Sequence, residues 1–347
     1  MKVKTKRFLF LIRTNAKVRT FAFVCVFYAG AAAGLLIGWK MTQRYYGDAL
    51  FGFQKIHPLN DHFKFINPLL GFDSAERTHS EYTQLKNRIQ LLIDSSQVAP
   101  HVDRISVYFR NLETGEWVGI NPNEDFDPAS LLKVPVMMYY LKLAESDRAI
   151  LSRTYSYTAS DISLLKISQG DIETRLVQGR PYTVDQLIYE MIVRSDNVAK
   201  YLLILNSPAS DLDNMYGDLG IQIHKGEGNK YTISARTYSL FFRNLYNSTF
   251  LTRAMSEHAL GMLNEAEFKD GLVAGVPSDT KVAHKFGRYT ILENSKVAGV
   301  ETHDCGIVYY PEAPYLLCVM TRGNDTAVLE NIISQVSQIT YEFMVTK

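Results

Sequence analysis

The sequence predicts an α+β fold, an antiparallel five-stranded sheet flanked by helices, with one N-terminal transmembrane helix ahead of it. Two strand-like runs precede a long helical block, and three more strand-like runs and a closing amphipathic helix follow it. That order suits an antiparallel sheet with helices packed around it. A charge-free apolar run from Phe21 to Trp39 stands apart from this pattern.

The chain has 347 residues, 46% hydrophobic and 21% charged, enough for one substantial core. Its 37 basic and 36 acidic residues leave a net charge of +1. No polyanionic partner such as nucleic acid is expected from that balance.

Residues 1–19 read as a cytoplasmic basic segment, with Lys2, Lys4, Lys6, Arg7, Arg13, Lys17 and Arg19 and no acid. Residues 20–39 read as the transmembrane anchor. As a helix, the run from Phe21 to Trp39 spans roughly 28 Å, close to the hydrocarbon thickness of a bilayer. The basic flank before it orients everything after Lys40 outward, so a single-pass protein of the cell membrane with an extracytoplasmic domain is expected. The small residues Ala31 to Gly34 offer the competing reading of a cleaved signal peptide, but the apolar run exceeds the usual signal core. Gly30, Gly34 and Gly38 share one helix face and would permit a dimer contact; tolerated glycine in a membrane helix is the plainer reading.

Residues 40–77 carry aromatic, proline and glycine residues without sustained periodicity and read as a juxtamembrane connector. The globular domain is expected over 78–347. Thr78-His79-Ser80-Glu81 has the capping-box pattern, and Leu85, Ile89, Leu92 and Ile93 then supply a helical stripe. Arg104 to Asn111 and Trp117 to Ile120 flank the turn-like Glu113-Thr114-Gly115-Glu116 as a hairpin. Residues 127 to about 235 are expected to be largely helical. Strands return at Lys281 to Tyr289, Asp304 to Tyr310 and Tyr315 to Thr321, and a helix covers roughly Ala327 to Met344.

Cys25 falls in the apolar run, while Cys305 and Cys318 fall in the last two strands. A hairpin pairing Tyr310 with Tyr315 would set those two diagonally, a poor geometry for a disulfide, so two buried free thiols are expected. No metal site is indicated.

Asp127-Pro128-Ala129-Ser130-Leu131-Leu132-Lys133 is the most informative stretch. Asp127 suits an N-cap and Pro128 the first helical position, which puts Ser130 in the first turn, where backbone N–H groups have no helical partner. A serine there can offer its own N–H to an oxyanion while its hydroxyl attacks a carbonyl. Lys133, three residues on, shares its face, and desolvation can lower a lysine's pKa enough for it to accept the serine proton. The spacing alone is weak, because Ser163 to Lys166 and Ser278 to Lys281 repeat it.

Ser195-Asp196-Asn197 lies at a seam between two helices, the first opened by the capping-box pattern Thr183 to Gln186. Simple capping of the next helix is its bland reading. Lys285-Phe286-Gly287 lies in a strand, where glycine permits close backbone approach.

In that order, the three motifs resemble those of the penicillin-recognising serine enzymes, the class A β-lactamases most of all. The resemblance covers roughly 78–347 and includes His303-Asp304-Cys305-Gly306-Ile307-Val308-Tyr309 and Pro314-Tyr315-Leu316-Leu317, which look like the last hairpin of such domains. It implies an all-helical lobe beside the sheet and no cofactor. It also implies that Ser130 is acylated, that Lys133 is its base or relay, and that Ser195 passes a proton to the leaving amine. Asn197 would hold the substrate amide, Lys285 would add positive charge beside Ser195 and the substrate carboxylate, and the N–H groups of Ser130 and of Arg288, just after Gly287, would form the oxyanion hole. The implied function is a serine acyl hydrolase cleaving a β-lactam or related D-alanyl amide, its partner a β-lactam or peptidoglycan peptide. The alternatives are a penicillin-binding D,D-peptidase with slow β-lactam deacylation and a non-catalytic membrane-anchored ligand sensor.

Two departures from the family pattern bear on the activity. Phe286 stands where a hydroxyl residue usually binds the substrate carboxylate, leaving Arg288 to compensate. The segment between Gly220 and Thr232 is too short for the usual loop carrying a water-activating glutamate. Glu227 is the one acid there that could serve as deacylation base, against its reading as a solvated loop acid between Gly226 and Gly228.

Overall fold

A computed structural model describes residues 64–66, 77–78, 82–158, 161, 174–221, 224–225 and 231–346, apart from Ser96, Ser295 and Glu312. The expected anchor at 20–39 lies outside the described residues. Among those described, no helix is long and apolar enough to cross a membrane.

The sheet has six strands: β1 (Arg77–Thr78), β2 (Val102–Asn111), β3 (Glu116–Ile120), β4 (Val282–Glu293), β5 (Lys296–Val308) and β6 (Tyr315–Gly323). Their spatial order is β1-β3-β2-β6-β5-β4. The five strands legible in the sequence pair antiparallel, and the sixth is a two-residue parallel addition beside β3. Side chains alternate across the sheet, so Val107 and Phe109 enter one core while Tyr108 enters the other.

Helices α1 (Thr83–Ile93) and α8 (Thr326–Thr346) cover the first face through Leu85, Ile89, Leu329, Ile332 and Val336. The second core is larger and joins the sheet to a helical lobe. That lobe contains α2 (Lys133–Ser146), α3 (Val184–Val193), α4 (Asn197–Leu205), α5 (Ala209–Asp218), α6 (Ala235–Tyr246) and α7 (Arg253–Asn264).

Helix α1 starts later than expected, at Thr83, with Tyr82 at the N-cap and no side-chain cap; Thr78 belongs to β1. Burial decides this start. Tyr82 is fully buried against Phe109 and Phe343, and Asn111 Nδ2 donates to its hydroxyl at 2.9 Å. Contacts with the domain begin before residue 78: the backbone N–H groups of Lys64, Phe65 and Ile66 all donate to the Glu257 carboxylate.

The free-thiol expectation is overturned: Cys305 and Cys318 form a disulfide. Strand β5 ends at Val308, which pairs with Tyr315, and that register sets the two cysteines directly opposite. Pro311 and Pro314 explain the shift, since neither has an N–H to extend the ladder toward Tyr310.

The capping box on α3 forms as the sequence predicts. Thr183 Oγ1 accepts from the Gln186 N–H at 3.1 Å, and Gln186 Oε1 accepts from the Thr183 N–H at 3.0 Å. Thr183→Ala is expected to cost about 1 kcal/mol, read as a lower denaturant midpoint with unchanged slope.

Candidate active site

Ser130 sits in a tight 3-10 turn, Ala129–Leu132, and the α-helix begins only at Lys133. This corrects the expected first-turn placement. Ala129 adopts φ 47°, a left-handed conformation that delays the helix, and Asp127 Oδ1 accepts from the Ala129 N–H at 2.9 Å without capping α2. Lys133, at the head of α2, still lies beside Ser130.

Side chains from β5 hold the segment before Ser130. Asp127 donates its N–H to Glu301 Oε2 at 3.0 Å, and its carbonyl accepts from His303 Nε2 at 2.9 Å. The Thr321 N–H donates to His303 Nδ1 at 3.3 Å, which fits the neutral tautomer with the proton on Nε2. The His303 bond to Asp127 joins residues 176 apart in the chain. Tyr238, fully buried on α6, donates its hydroxyl to the Leu131 carbonyl at 2.9 Å. Nothing local in the sequence marks Glu301, His303 or Tyr238 as supports of this turn. Gly287 lets β4 lie against it, since a Cβ there would meet the Pro128 carbonyl oxygen at 3.1 Å and Ala129 Cβ at 3.3 Å.

Between α3 and α4 the chain turns at Ser195, which has φ 57°. Asp196 caps α4, accepting from the Ala199 N–H at 2.9 Å, and also accepts from the Arg175 N–H at 3.2 Å. Capping therefore falls to Asp196, and Ser195 and Asn197 turn toward Lys133.

Four oxygens surround Lys133 Nζ: Ser130 Oγ at 3.0 Å, Ser195 Oγ at 3.0 Å, Asn197 Oδ1 at 2.8 Å and, in closest contact, the Ser195 carbonyl. None is a carboxylate. Lys285 Nζ donates to Ser195 Oγ at 2.9 Å and to the Phe286 carbonyl at 3.1 Å. Ser195 Oγ thus bridges two lysines, both fully buried.

Burial lowers the Lys133 pKa well below the usual lysine range, and the positive charges of Lys285 and Lys200 push it the same way against the opposing pull of Asp196. Burial also brings Lys285 down to about 7, against the raising influence of Asp304. A neutral Lys133 has two N–H donors and one lone pair. Since the Ser195 carbonyl and Asn197 Oδ1 can only accept, the lone pair is left for a hydroxyl. The arrangement can therefore deprotonate a serine.

Arg288, expected to compensate for Phe286, turns its guanidinium away to Glu330 Oε1, at 2.6 Å from Nε and 2.5 Å from Nη2. Glu227 and Ser163 to Lys166 lie outside the described residues. Ser278 and Lys281, the third pair at this spacing, are exposed, and Lys281 lies over the Phe65 ring. Among the described residues, no group of three or more His, Cys, Asp or Glu could hold a metal ion.

Beta-lactamase VEB-1 of Pseudomonas aeruginosa is 23% identical over 263 residues, covering 70% of this chain and 86% of that protein. The fold is shared with PBP-A at a TM-score of 0.65 and 21% identity, covering 80% of this chain and 100% of PBP-A. A beta-lactamase from Chitinophaga pinensis superposes at a TM-score of 0.62 and 18% identity, covering 76% of this chain and 99% of that one. A PBP-A variant solved as an acyl-enzyme complex with penicillin G has the same fold, at a TM-score of 0.63 and 21% identity, over 76% of this chain and 97% of the variant. The sequence profile of the beta-lactamase enzyme family matches residues 84–344, well over half of the chain, and this serine hydrolase accordingly belongs to that family.

Proposed function

We propose that the protein is an acyl-transferring serine hydrolase that opens a β-lactam or related D-alanyl amide through an acyl-Ser130 intermediate, with deacylation as its slow half. The observation that carries this reading is the Ser195 hydroxyl bridging Lys133 and Lys285 beside Ser130. In acylation, the Ser130 hydroxyl proton passes to neutral Lys133 as Oγ bonds to the carbonyl carbon. The N–H groups of Ser130 and Arg288 stabilise the oxyanion. As the C–N bond breaks, Ser195 gives its proton to the leaving nitrogen and regains one from Lys133. Asn197 holds the substrate amide, and the Lys285 cation orients Ser195.

Release of the acyl group needs a base that activates water. The segment between Gly220 and Thr232, too short for the usual loop that carries a water-activating glutamate, supports an acyl enzyme that accumulates and so favours the penicillin-binding side of the family over a fast β-lactamase. The basic segment and apolar run before residue 40 support an extracytoplasmic placement from a membrane anchor at 20–39. If so, the full chain resists alkaline extraction from membranes.

The deciding measurement is intact mass after incubation with penicillin G. The proposal expects a gain of one penicillin that persists for many minutes. An adduct that clears with hydrolysis would defeat the slow-deacylation part, and no adduct with either penicillin G or its methyl ester at millimolar concentration would defeat the whole. Acylation should also follow a bell-shaped pH profile. It needs Lys133 without its proton, which burial makes it give up well below the ordinary lysine range, and Lys285 with the proton that orients Ser195, which it loses near 7. A rate that climbs steadily to pH 10 would rule out these two roles.

A further inference from the structure

Along β4, next to the bridging hydroxyl, two half-buried rings form one wall of the site. Phe286 and Phe268 stack with centroids 4.1 Å apart and planes at 23°. Lys285 Nζ lies 4.1 Å from the Phe286 centroid and 2.9 Å from Ser195 Oγ, so the ring adjoins the place where Ser195 would protonate the leaving group. Among the described residues, Lys285 and Arg288 have their charged groups against these rings, and both are already engaged. Lys285 is fully buried, with the ring against its ammonium and hydrogen bonds to Ser195 and the Phe286 carbonyl. Arg288 is exposed, but its guanidinium is bonded to Glu330 and rests 5.2 Å from the Phe268 centroid and 5.5 Å from that of Phe286.

Resting on the acyl-Ser130 reading, we propose that Phe286, backed by Phe268 and with Arg288 tied to Glu330, makes the leaving-group side of the site select substrates that carry no carboxylate there. A carboxylate placed against this wall would give up its water and gain neither a free cation nor a hydroxyl donor. An uncharged ester or amide at the same position loses little hydration and gains contact with the rings. The substrate class is therefore an acyl compound whose leaving group is neutral next to the scissile bond, such as an esterified or amidated relative of the usual carboxylate-bearing amide.

Penicillin G and its methyl ester test this directly, because they share the reactive ring and differ in this one charge. Second-order rates of Ser130 acylation, read by intact mass and corrected for uncatalysed hydrolysis, should favour the methyl ester by about tenfold or more. Phe286→Thr, which restores a hydroxyl, should shrink that ratio. Glu330→Gln should shrink it too by freeing Arg288, and this second variant keeps the test intact if the first folds poorly. Equal or faster acylation by the free acid, or a ratio that neither variant moves, would overturn the selectivity. If neither compound labels Ser130, the acyl-enzyme reading itself fails, and this inference falls with it.

Discussion

Ser130→Ala is expected to abolish covalent capture of penicillin, with acylation falling roughly a millionfold while the fold remains intact. Loss of a nucleophile removes the acyl enzyme altogether, so losses on the order of 10^6 are normal for such groups. The stability expectation follows from counting around Lys133. Removing Ser130 Oγ leaves the Ser195 carbonyl, Ser195 Oγ and Asn197 Oδ1, three acceptors for at most three ammonium hydrogens. No buried donor is orphaned, so the denaturation midpoint should stay within about 0.5 kcal/mol of the parent. Ser163→Ala, at the rival pair, should leave capture unchanged, and the opposite result would move the nucleophile there.

Lys133→Met is the second large effect, an expected loss of about 10^4 in acylation rate. Methionine approximates the length of the lysine side chain but has neither a lone pair to take the serine proton nor a hydrogen to return to Ser195. Its stability should depend on pH with a definite sign. Burial holds the Lys133 pKa in the folded state below its unfolded value, so the unfolded chain binds this proton more readily. Over the window between the two pKa values, this lysine makes the parent less stable as pH falls, and methionine removes that slope. The variant loses the Lys133 hydrogen bonds to the Ser195 carbonyl and Asn197 Oδ1, at about 1–3 kcal/mol in all. Its deficit against the parent should therefore be largest near pH 10 and shrink toward pH 6. Parallel curves would show that Lys133 is not a desolvated base, and undiminished acylation would make Lys285 the base instead.

Much of the architecture was legible because local chemistry and tertiary packing agree. Strand-like runs marked the strands near 104–111, 117–120, 281–289 and 315–321, and the Thr183 capping box forms as the sequence predicts. Disagreement came where a local signal competed with burial. Tyr82 moves the start of α1, and the left-handed Ala129 replaces the first helical turn around Ser130 with a 3-10 turn. Pro311 and Pro314 were visible, but the register they impose depends on where β5 stops pairing, and that register decides whether Cys305 and Cys318 can bond.

By itself, the sequence determined which residue types could meet: a serine and a lysine one helical turn apart, a helix seam carrying Ser195 and Asn197, and a late strand carrying Lys285 and Gly287. Spacing along a helix or strand is a local property, set by backbone geometry. Only the tertiary structure decided what surrounds them. The Asp127 clamp reaches Glu301 and His303 across 174 and 176 residues, and Arg288 is drawn to Glu330 across 42. The depressed lysine pKa values arise from desolvation, a property of the folded environment that no local spacing encodes.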